Sequence, residues 1–391
     1  MLLTIHRGTH EIGGSCIEIT TATTRLFLDF GLPLIDREGK PLKIGKNLDF
    51  TYSQLVEKGI APSIPFFDDR DDKPTFIFLT HSHLDHYGLA PWLPLDLPVY
   101  ASKGTKILLE RARFFGQSAC DPSDVKIIEP WKRITIGDMA ITPYLADHSA
   151  VDAYSYLIEA DGKRVFYSGD IRAHGRKHLL FSSLLASPPV NIDYLILEGS
   201  TLGRDKSDYE TELDVERKLI EELTVDGLIY ASFSSQNIDR FVSFFKACRA
   251  TKRTLVVDPY TASILDALKE LSPNIPQHDW EDSFKIFNVP NTHTDKMASD
   301  KSLFRFKAAK ITLPEIMESP SRLVIKEDFA IRKILTSKGM MKDVRCIYSM
   351  WDGYLREDNF WEANNVPLVK IHCSGHAYRE DLVQLVDAIN P

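Results

Sequence analysis

The chain has 391 residues, which is more than one hydrophobic core usually serves, so about two domains are expected. Its 43% apolar and 26% charged residues exclude a disordered or fibrous protein. A net charge of −8 argues against a surface that is basic throughout, yet it permits a local basic groove. No apolar run of 18 residues and no leader-like N-terminus is present, so we expect a cytoplasmic protein that is neither exported nor embedded in a membrane.

The cysteines do not form a recognisable framework. There are five, they lie far apart, and none belongs to a C-x-x-C pair. Neither a disulfide scaffold nor a thiolate zinc site is therefore expected, and buried reduced thiols fit better.

The first half of the chain consists of short predicted strands separated by turns. The runs are rich in β-branched and aromatic residues, with Gly, Asp or Pro nearby. They cover residues 25–29, 75–79, 133–136, 155–158 and 164–167.

From Asp208 onward the pattern changes to strands that alternate with helices. Helical spacing of apolar residues covers 209–223, 238–247 and 261–271, and strand-like runs cover 228–232 and 254–257. This alternation predicts a parallel α/β unit. Residues 272–321 show no firm period. Strand-like runs at 345–348 and 368–371 then lead the chain back towards a sheet, and a helix is expected at 379–389.

One string carries most of the chemical information. His81-Ser82-His83-Leu84-Asp85-His86 places three imidazoles and one carboxylate directly after the strand at 75–79. Imidazole and carboxylate are ordinary zinc ligands, so His81 and His83 suit one ion, and Asp85 and His86 suit a second. Two adjacent ions also need a bridging carboxylate and ligands from elsewhere in the fold.

Further candidate ligands follow other predicted strands. His148 comes after the run at 141–145, and Asp170 comes after the run at 164–167. Asp29 ends the strand at 25–29 and is better placed to orient the histidine loop than to bind metal. Ordinary structural roles are expected for His6, His10, His174, His178, His278 and His293.

These residues resemble those of the metallo-β-lactamase-fold hydrolases, a four-layer αββα family. Three later segments are similar to the β-CASP nucleases, and to ribonuclease J in particular: Glu198-Gly-Ser-Thr, residues 231–240, and residues 372–377. The resemblance implies an α/β fold, namely a metallo-β-lactamase αββα four-layer sandwich with an inserted α/β β-CASP domain. The expected domain limits are 1–205, 206–364 and a return segment at 365–391.

The resemblance also implies roles for the motif residues. It implies two divalent ions, zinc first and Mn²⁺ or Mg²⁺ as alternatives, held by His81, His83 and His148 on one side and by Asp85 and His86 on the other, with Asp170 as the bridge. Glu198 matches the acidic residue of the first β-CASP motif. His376 matches the second-motif histidine, a candidate acid for the leaving oxygen. Asp85, with Asp29 behind it, would orient the attacking water or take its proton.

Candidate substrate contacts lie in the later motifs. Hydroxyl groups and backbone amides can donate to phosphate, and an arginine can contact it as a cation. The candidates are Ser232, Ser234, Ser235, Ser374, the amides around Gly375, and Arg240. For any one serine, an ordinary hydrogen bond within a loop is the competing interpretation.

The favoured function is a two-metal ribonuclease of the ribonuclease J type. Its substrate would be single-stranded RNA, cut internally, from the 5′ end, or both, and the family resemblance also suggests a homodimer or higher oligomer. A DNA-directed β-CASP nuclease stays open. A small-molecule hydrolase of a lactone, thioester or lactam is disfavoured because such a substrate needs neither the insertion nor His376. An inactive RNA-binding scaffold is disfavoured because the metal motifs are intact.

One departure from the family pattern concerns a third β-CASP motif. In ribonuclease J-like enzymes another histidine follows the second motif by a helix and a strand and completes the second metal site. Here the predicted helix at 379–389 is followed only by Asn390 and Pro391. Three explanations stay open: the sequence is truncated, the second metal lacks a ligand, or another chain supplies it.

Overall fold

The computed structural model describes residues 1–36, 42, 50–68, 71–94, 96–204, 210–299, 301–355 and 360–391. The chain forms two compact units, one made of Met1–Arg204 with Gly375–Pro391 and the other of Asp205–Ser374. The second unit therefore interrupts the first. The expected start of the insertion at residue 206 lies outside the described residues, and so does residue 209, where the first helix of the insertion was expected to begin.

The first sheet of the first unit has six strands that follow chain order across it: β1 (Leu2–Arg7), β2 (Cys16–Thr20), β3 (Arg25–Leu28), β4 (Thr75–Phe78), β5 (Val99–Ala101) and β6 (Lys126–Ile127). Neighbours from β1 to β3 are antiparallel, and neighbours from β3 to β6 are parallel. The accompanying helices are α1 (Tyr52–Glu57), α2 (Pro65–Asp68), α3 (Leu84–Tyr87) and α4 (Lys103–Phe114). The strands predicted near residues 25 and 75 are confirmed.

The second sheet of this unit has five strands in the order β11-β10-β9-β8-β7. They are β7 (Ile134–Ile136), β8 (Met139–Ala146), β9 (Ala153–Ala160), β10 (Lys163–Tyr167) and β11 (Tyr194–Ile196), with helix α5 (His178–Ala186) on the connection between the last two. Only β10 and β11 pair in parallel. The predicted strands near residues 133, 155 and 164 are confirmed.

Alternation of side chains along the strands builds the layers of this unit. Successive strand residues point to opposite faces, so each sheet contributes to two apolar layers. One layer lies between the sheets, and the other two join a sheet to helices. From one side to the other, the layers contain Phe27 with Leu109, then Leu28 with Tyr156, then Phe166 with Phe181. The expected four-layer αββα arrangement is confirmed.

The second unit is built on a six-stranded parallel sheet in the order β14-β13-β15-β12-β16-β17. Its strands are β12 (Leu228–Ser232), β13 (Thr254–Val257), β14 (Lys285–Ile286), β15 (Leu323–Lys326), β16 (Val344–Tyr348) and β17 (Leu368–Lys370). Its helices are α6 (Glu212–Glu222), α7 (Ile238–Ala250), α8 (Pro259–Leu268), α9 (Thr292–Ser299), α10 (Leu313–Glu318), α11 (Phe329–Ser337) and α12 (Phe360–Ala363). The predicted parallel α/β architecture is confirmed.

The end of the second unit differs from the expected limit at residue 364. Strand β17 pairs with β16, which places it in the sheet of the second unit, so that unit extends to Ser374. The last helix, α13 (Arg379–Ile389), belongs to the first unit and packs on α5. Among the helices in the described part of the chain, none has the length and apolar character needed to cross a membrane.

A buried ion pair ties two strand ends of the second unit together. Asp258 follows β13 and caps α8, accepting from the Thr261 amide at 2.8 Å. Lys326, the last residue of β15, donates from Nζ to Asp258 Oδ2 at 3.0 Å. Burial opposes ionisation of Asp258, but Lys326 and Thr261 outweigh it and hold the pKa of this carboxyl below its usual range.

Asp258→Asn is expected to destabilise the second unit in a pH-dependent way. At pH 7 it leaves the Lys326 ammonium buried without its anion, which costs about 3 kcal/mol. A lowered folded pKa gives stability that is present above about pH 4 and is lost as the pH falls through the folded value, so the gap to the wild type should shrink below about pH 4. Urea midpoints at pH 7 and pH 3, followed by hydrogen exchange of a β13 peptide, measure this. The exposed Asp279→Asn is the control. A gap that is equal at both pH values would contradict the assignment.

Candidate metal centre

Five strand ends of the first unit converge on one edge. Strands β3 and β4 are parallel, and β8, β10 and β11 also run in one direction, so the residues that follow them collect there. Loops at the carboxyl ends of strands are where α/β folds commonly place functional groups. The residues brought to this edge are Asp29, His81, His148, Asp170 and Glu198.

The histidine loop is held against the end of β3 by backbone contacts. The Phe30 amide donates to the His86 carbonyl at 2.6 Å, and the Ser15 amide donates to the Asp85 carbonyl at 3.1 Å. A Cβ on Gly31 would stand 1.6 Å from that Asp85 carbonyl oxygen. Only glycine therefore permits the close approach that positions the loop.

The first group of donor atoms consists of three imidazoles. His83 Nδ1 lies 3.1 Å from Nε2 of His81 and 3.1 Å from Nε2 of His148. Burial is the main factor that lowers the pKa of all three rings, so they are neutral and carry a free lone pair. The neutral ring is the form that binds zinc, and three such rings suit one ion. The Gly375 carbonyl, 2.7 Å from His148 Nδ1, fixes the orientation of that ring.

The second group contains Asp85 and His86, with His81 alongside. His86 Nε2 lies 3.8 Å from Asp85 Oδ2 and 3.1 Å from Asp170 Oδ2. On its other side, His86 Nδ1 lies 2.7 Å from Asp29 Oδ2. Asp29 thus holds the ring so that Nε2 points to the centre, the usual role of a carboxylate behind a ligating histidine.

Asp170 connects the two groups through one oxygen. Oδ2 is buried, and no donor in the described part of the chain hydrogen-bonds to it. Imidazole nitrogens nevertheless surround it at 3.1 Å (His86), 3.6 Å (His376), 3.7 Å (His81) and 3.8 Å (His148). Burial opposes ionisation of Asp170, but the neighbouring imidazoles hold its pKa well below the usual range. A bare carboxylate oxygen beside the neutral rings of His81 and His148 is the arrangement that a divalent cation fits.

Glu198 and His376 form a pair beside this oxygen. His376 Nδ1 lies 2.8 Å from Glu198 Oε2, while Glu198 Oε1 accepts from the Ile171 amide at 2.8 Å. Burial opposes charge on the His376 ring, yet Glu198 and Asp170 raise the pKa of His376 to about 9. The imidazole is therefore held as a proton donor next to the metal-binding groups.

A cavity of about 920 Å³ within the first unit reaches this centre. Asp85, His86, Asp170 and Glu198 are among the residues that line it. The cavity therefore gives a ligand room beside the metal-binding groups.

Comparison with known proteins identifies the fold. A family model described as a beta-lactamase superfamily domain matches residues 55–217. Ribonuclease J of Sinorhizobium meliloti is 30% identical over 113 residues, covering 28% of this chain and 20% of that protein. An RNase J-like protein of Methanocaldococcus jannaschii is 26% identical over 57% of this chain and 48% of its own length. The first unit therefore has the metallo-β-lactamase fold, and the chain is similar to proteins of the ribonuclease J type.

Other similarities cover more of this chain. Cleavage and polyadenylation specificity factor subunit 3 of Dictyostelium discoideum is 24% identical over 64% of this chain and 31% of that protein. A crystal structure of a protein of unknown function from Enterococcus faecalis V583 shares the fold, with a TM-score of 0.77, 19% identity, and coverage of 100% of this chain and 92% of that one. The chain spans less than half the length of the curated relatives named here.

The residues predicted to contact the substrate differ in burial. Arg240 does not fit the role of a phosphate contact: its side chain is fully buried, with Nη2 3.0 Å from Glu212 Oε1 and Nη1 3.0 Å from the Ser349 carbonyl. Ser232 and Ser235 are also buried, and their hydroxyls bond to Glu327 and Thr261.

The remaining predicted contacts keep some exposure. Ser234 is exposed at the turn after β12, and Ser374 and Gly375 are partly exposed. For these three positions a contact with phosphate stays a prediction.

Three supporting residues escaped the sequence analysis. The Thr80 hydroxyl and the Tyr167 hydroxyl both donate to Asp29, the latter at 2.8 Å. Arg172 is fully buried with Nε 3.4 Å from Asp147 Oδ1, next to His148 in the chain. All three lie close in the chain to the residues of the metal motifs, and this proximity could have indicated a supporting role. A search for metal-ligand residue types does not find them, because it does not include the hydroxyl and guanidinium groups.

Proposed function

We propose that this protein is a ribonuclease of the ribonuclease J type, which cuts single-stranded RNA with two divalent metal ions, zinc being the first candidate. The observation that supports this most strongly is the bare Asp170 oxygen, which lies within 3.8 Å of imidazoles from both donor groups. The relatives add the substrate class, because they are named as ribonuclease J and RNase J-like proteins.

The donor groups divide between the two ions. One group would be His81, His83 and His148, the other would contain Asp85 and His86, and Asp170 would contact both. Bound divalent ions lower the pKa of water towards about 7 and neutralise the charge that develops on a phosphodiester. Asp29 keeps the second group in place by its contact with His86.

His376 is the proposed proton donor. Glu198 and Asp170 keep its imidazole protonated, and Glu198 fixes the ring through Nδ1. The ring would then pass a proton to the 3′ oxygen that departs from phosphorus, which spares the formation of a free alkoxide.

His376→Ala is expected to lower the rate of RNA cleavage by about 10²- to 10⁴-fold, the usual contribution of one general acid, while bound metal is retained. Single-turnover cleavage of a labelled RNA, together with metal analysis of the same sample, measures both. His178→Ala is the control, since that ring lies outside the metal centre, with Nδ1 3.3 Å from the Gly175 carbonyl. Loss of metal in step with activity would make His376 a ligand and contradict its role as the acid.

A further inference from the structure

The second unit carries a basic pocket at the amino ends of two strands. The pocket has a volume of about 500 Å³ and lies where β13 and β14 begin, at Thr254 and Lys285. The loops after Ser232 and Lys326 follow the opposite ends of the parallel strands. None of the residues that form the candidate metal centre lines this pocket.

Positive charge dominates the pocket wall. The wall holds Arg249, Lys252, Arg253 and Lys285, against the single carboxylate of Asp282. Arg253 is a fixed part of the wall, because its guanidinium donates to backbone carbonyls, including Leu223 at 2.7 Å. The other three cations form no ion pair within the described part of the chain.

Several surface cations of the second unit sit beside carboxylates, as in Arg217 with Asp214, Lys218 with Glu221, Arg345 with Glu222 and Lys370 with Asp352. The pocket instead brings onto one wall three cations without such a partner among the described residues. The end of α7 accounts for Arg249 and Lys252 in part, because cations favour a helix C-terminus. Lys285 lies on a separate strand, so the helix end does not explain why three cations line one pocket.

Two rings complete the wall. Trp280 is 39% exposed, so part of its side chain can contact a ligand. His278 lines the same pocket, and its buried Nδ1 has no hydrogen-bond partner among the residues the structure describes. An exposed indole beside unpaired cations is the combination that binds single-stranded nucleic acid, since bases stack on the ring while cations meet the phosphates.

We infer that this pocket is an RNA-holding site, which takes a phosphate on Arg249, Lys252 and Lys285 and a base on Trp280. The choice of RNA as the ligand rests on the proposed function. An acidic peptide would use the cations but would gain little from the indole, so the ring favours a nucleotide. Such a site would retain a long RNA on the protein without taking part in cleavage.

The test is RNA binding by the full chain in EDTA, which prevents cleavage. Anisotropy of a fluorescein-labelled 20-nucleotide single-stranded RNA gives the dissociation constant at several salt concentrations. Trp280→Ala is expected to weaken binding about 5- to 10-fold. The double variant Arg249→Gln with Lys285→Gln is expected to weaken binding and to lower the salt slope by about 0.7 for each phosphate that is no longer neutralised. The double variant Lys333→Gln with Lys338→Gln, which changes exposed lysines of α11 and its end, is the matched control.

The outcomes separate the pocket from the proposed function. If the pocket variants bind RNA as tightly as the control variant, the inference that the pocket holds RNA is wrong. Metal-dependent cleavage by the wild type would still support the proposed function in that case. A wild-type chain that binds a polyglutamate peptide in preference to RNA would overturn RNA as the ligand. Weakened binding in the pocket variants, with unchanged hydrolysis of bis(p-nitrophenyl) phosphate, would support the inference whatever the RNA cleavage assay shows.

Discussion

Asp170→Asn is expected to lower the rate of RNA cleavage by more than about 100-fold. Loss of a residue that only supports a metal ligand typically costs about 10- to 100-fold, and Asp170 is proposed to contact the ions directly. The variant keeps the side-chain shape but exchanges a charged oxygen for an amide. Asp170 Oδ2 lies within 3.8 Å of imidazoles from both donor groups, so the variant removes the charged oxygen placed between them. Cleavage rate and metal content per chain, measured on one preparation, check the prediction.

The control for this variant is Asp193→Asn in the same unit. Asp193 is on the surface, where Lys163 Nζ contacts its Oδ1 at 2.6 Å, and exposed pairs of this kind contribute little. It should keep full metal content and activity. If Asp170→Asn bound as much metal as the control and cut RNA as fast, the shared-ligand role of Asp170 would be wrong.

Arg240→Met is expected to lower the unfolding free energy of the second unit by about 3–5 kcal/mol. The variant leaves the buried Glu212 carboxylate without its cation. Both side chains are almost fully buried, and the Ser243 hydroxyl also donates to Glu212 at 2.8 Å. Hydrogen exchange of a β12 peptide reports the stability of this unit directly. The variant should leave the first unit's peptides unchanged.

A double-mutant cycle distinguishes the ion pair from simple packing. Glu212→Gln added to Arg240→Met should restore part of the stability, because the unpaired charge is then gone. If Arg240→Met instead left stability unchanged and weakened only RNA binding, Arg240 would be the phosphate contact that the sequence suggested.

The sequence predicted which potential metal ligands lie close together better than it predicted which candidate substrate contacts are exposed. Metal ligands are rare residue types gathered after strand ends, so His81 to His86, His148 and Asp170 stood out, and the structure brings them together. Arg240 is buried against Glu212, and burial cannot be read from the sequence, because a cation near a serine-rich loop has the same pattern whether it contacts phosphate or a buried carboxylate.

Some elements of the fold could be predicted from the sequence and others could not. Strands such as β4 and β10 alternate or run apolar over several residues, which makes them visible. Residues 272–321 gave no period because they hold a two-residue strand, short helices and 3-10 turns. Strand β17 was visible as a strand, but its sheet was not, because pairing with β16 is a long-range choice that local pattern does not encode.

The most direct test of the central claim is cleavage of an internally labelled, 5′-monophosphorylated single-stranded RNA by the full chain, stripped of metal and then reloaded with Zn²⁺ or Mn²⁺. We expect no cleavage without metal, cleavage after reloading, and none with Asp170→Asn under either condition. A metal-loaded wild type that leaves this RNA intact but hydrolyses a lactone or thioester would contradict the ribonuclease assignment, and cleavage only of the matching single-stranded DNA would contradict RNA as the substrate.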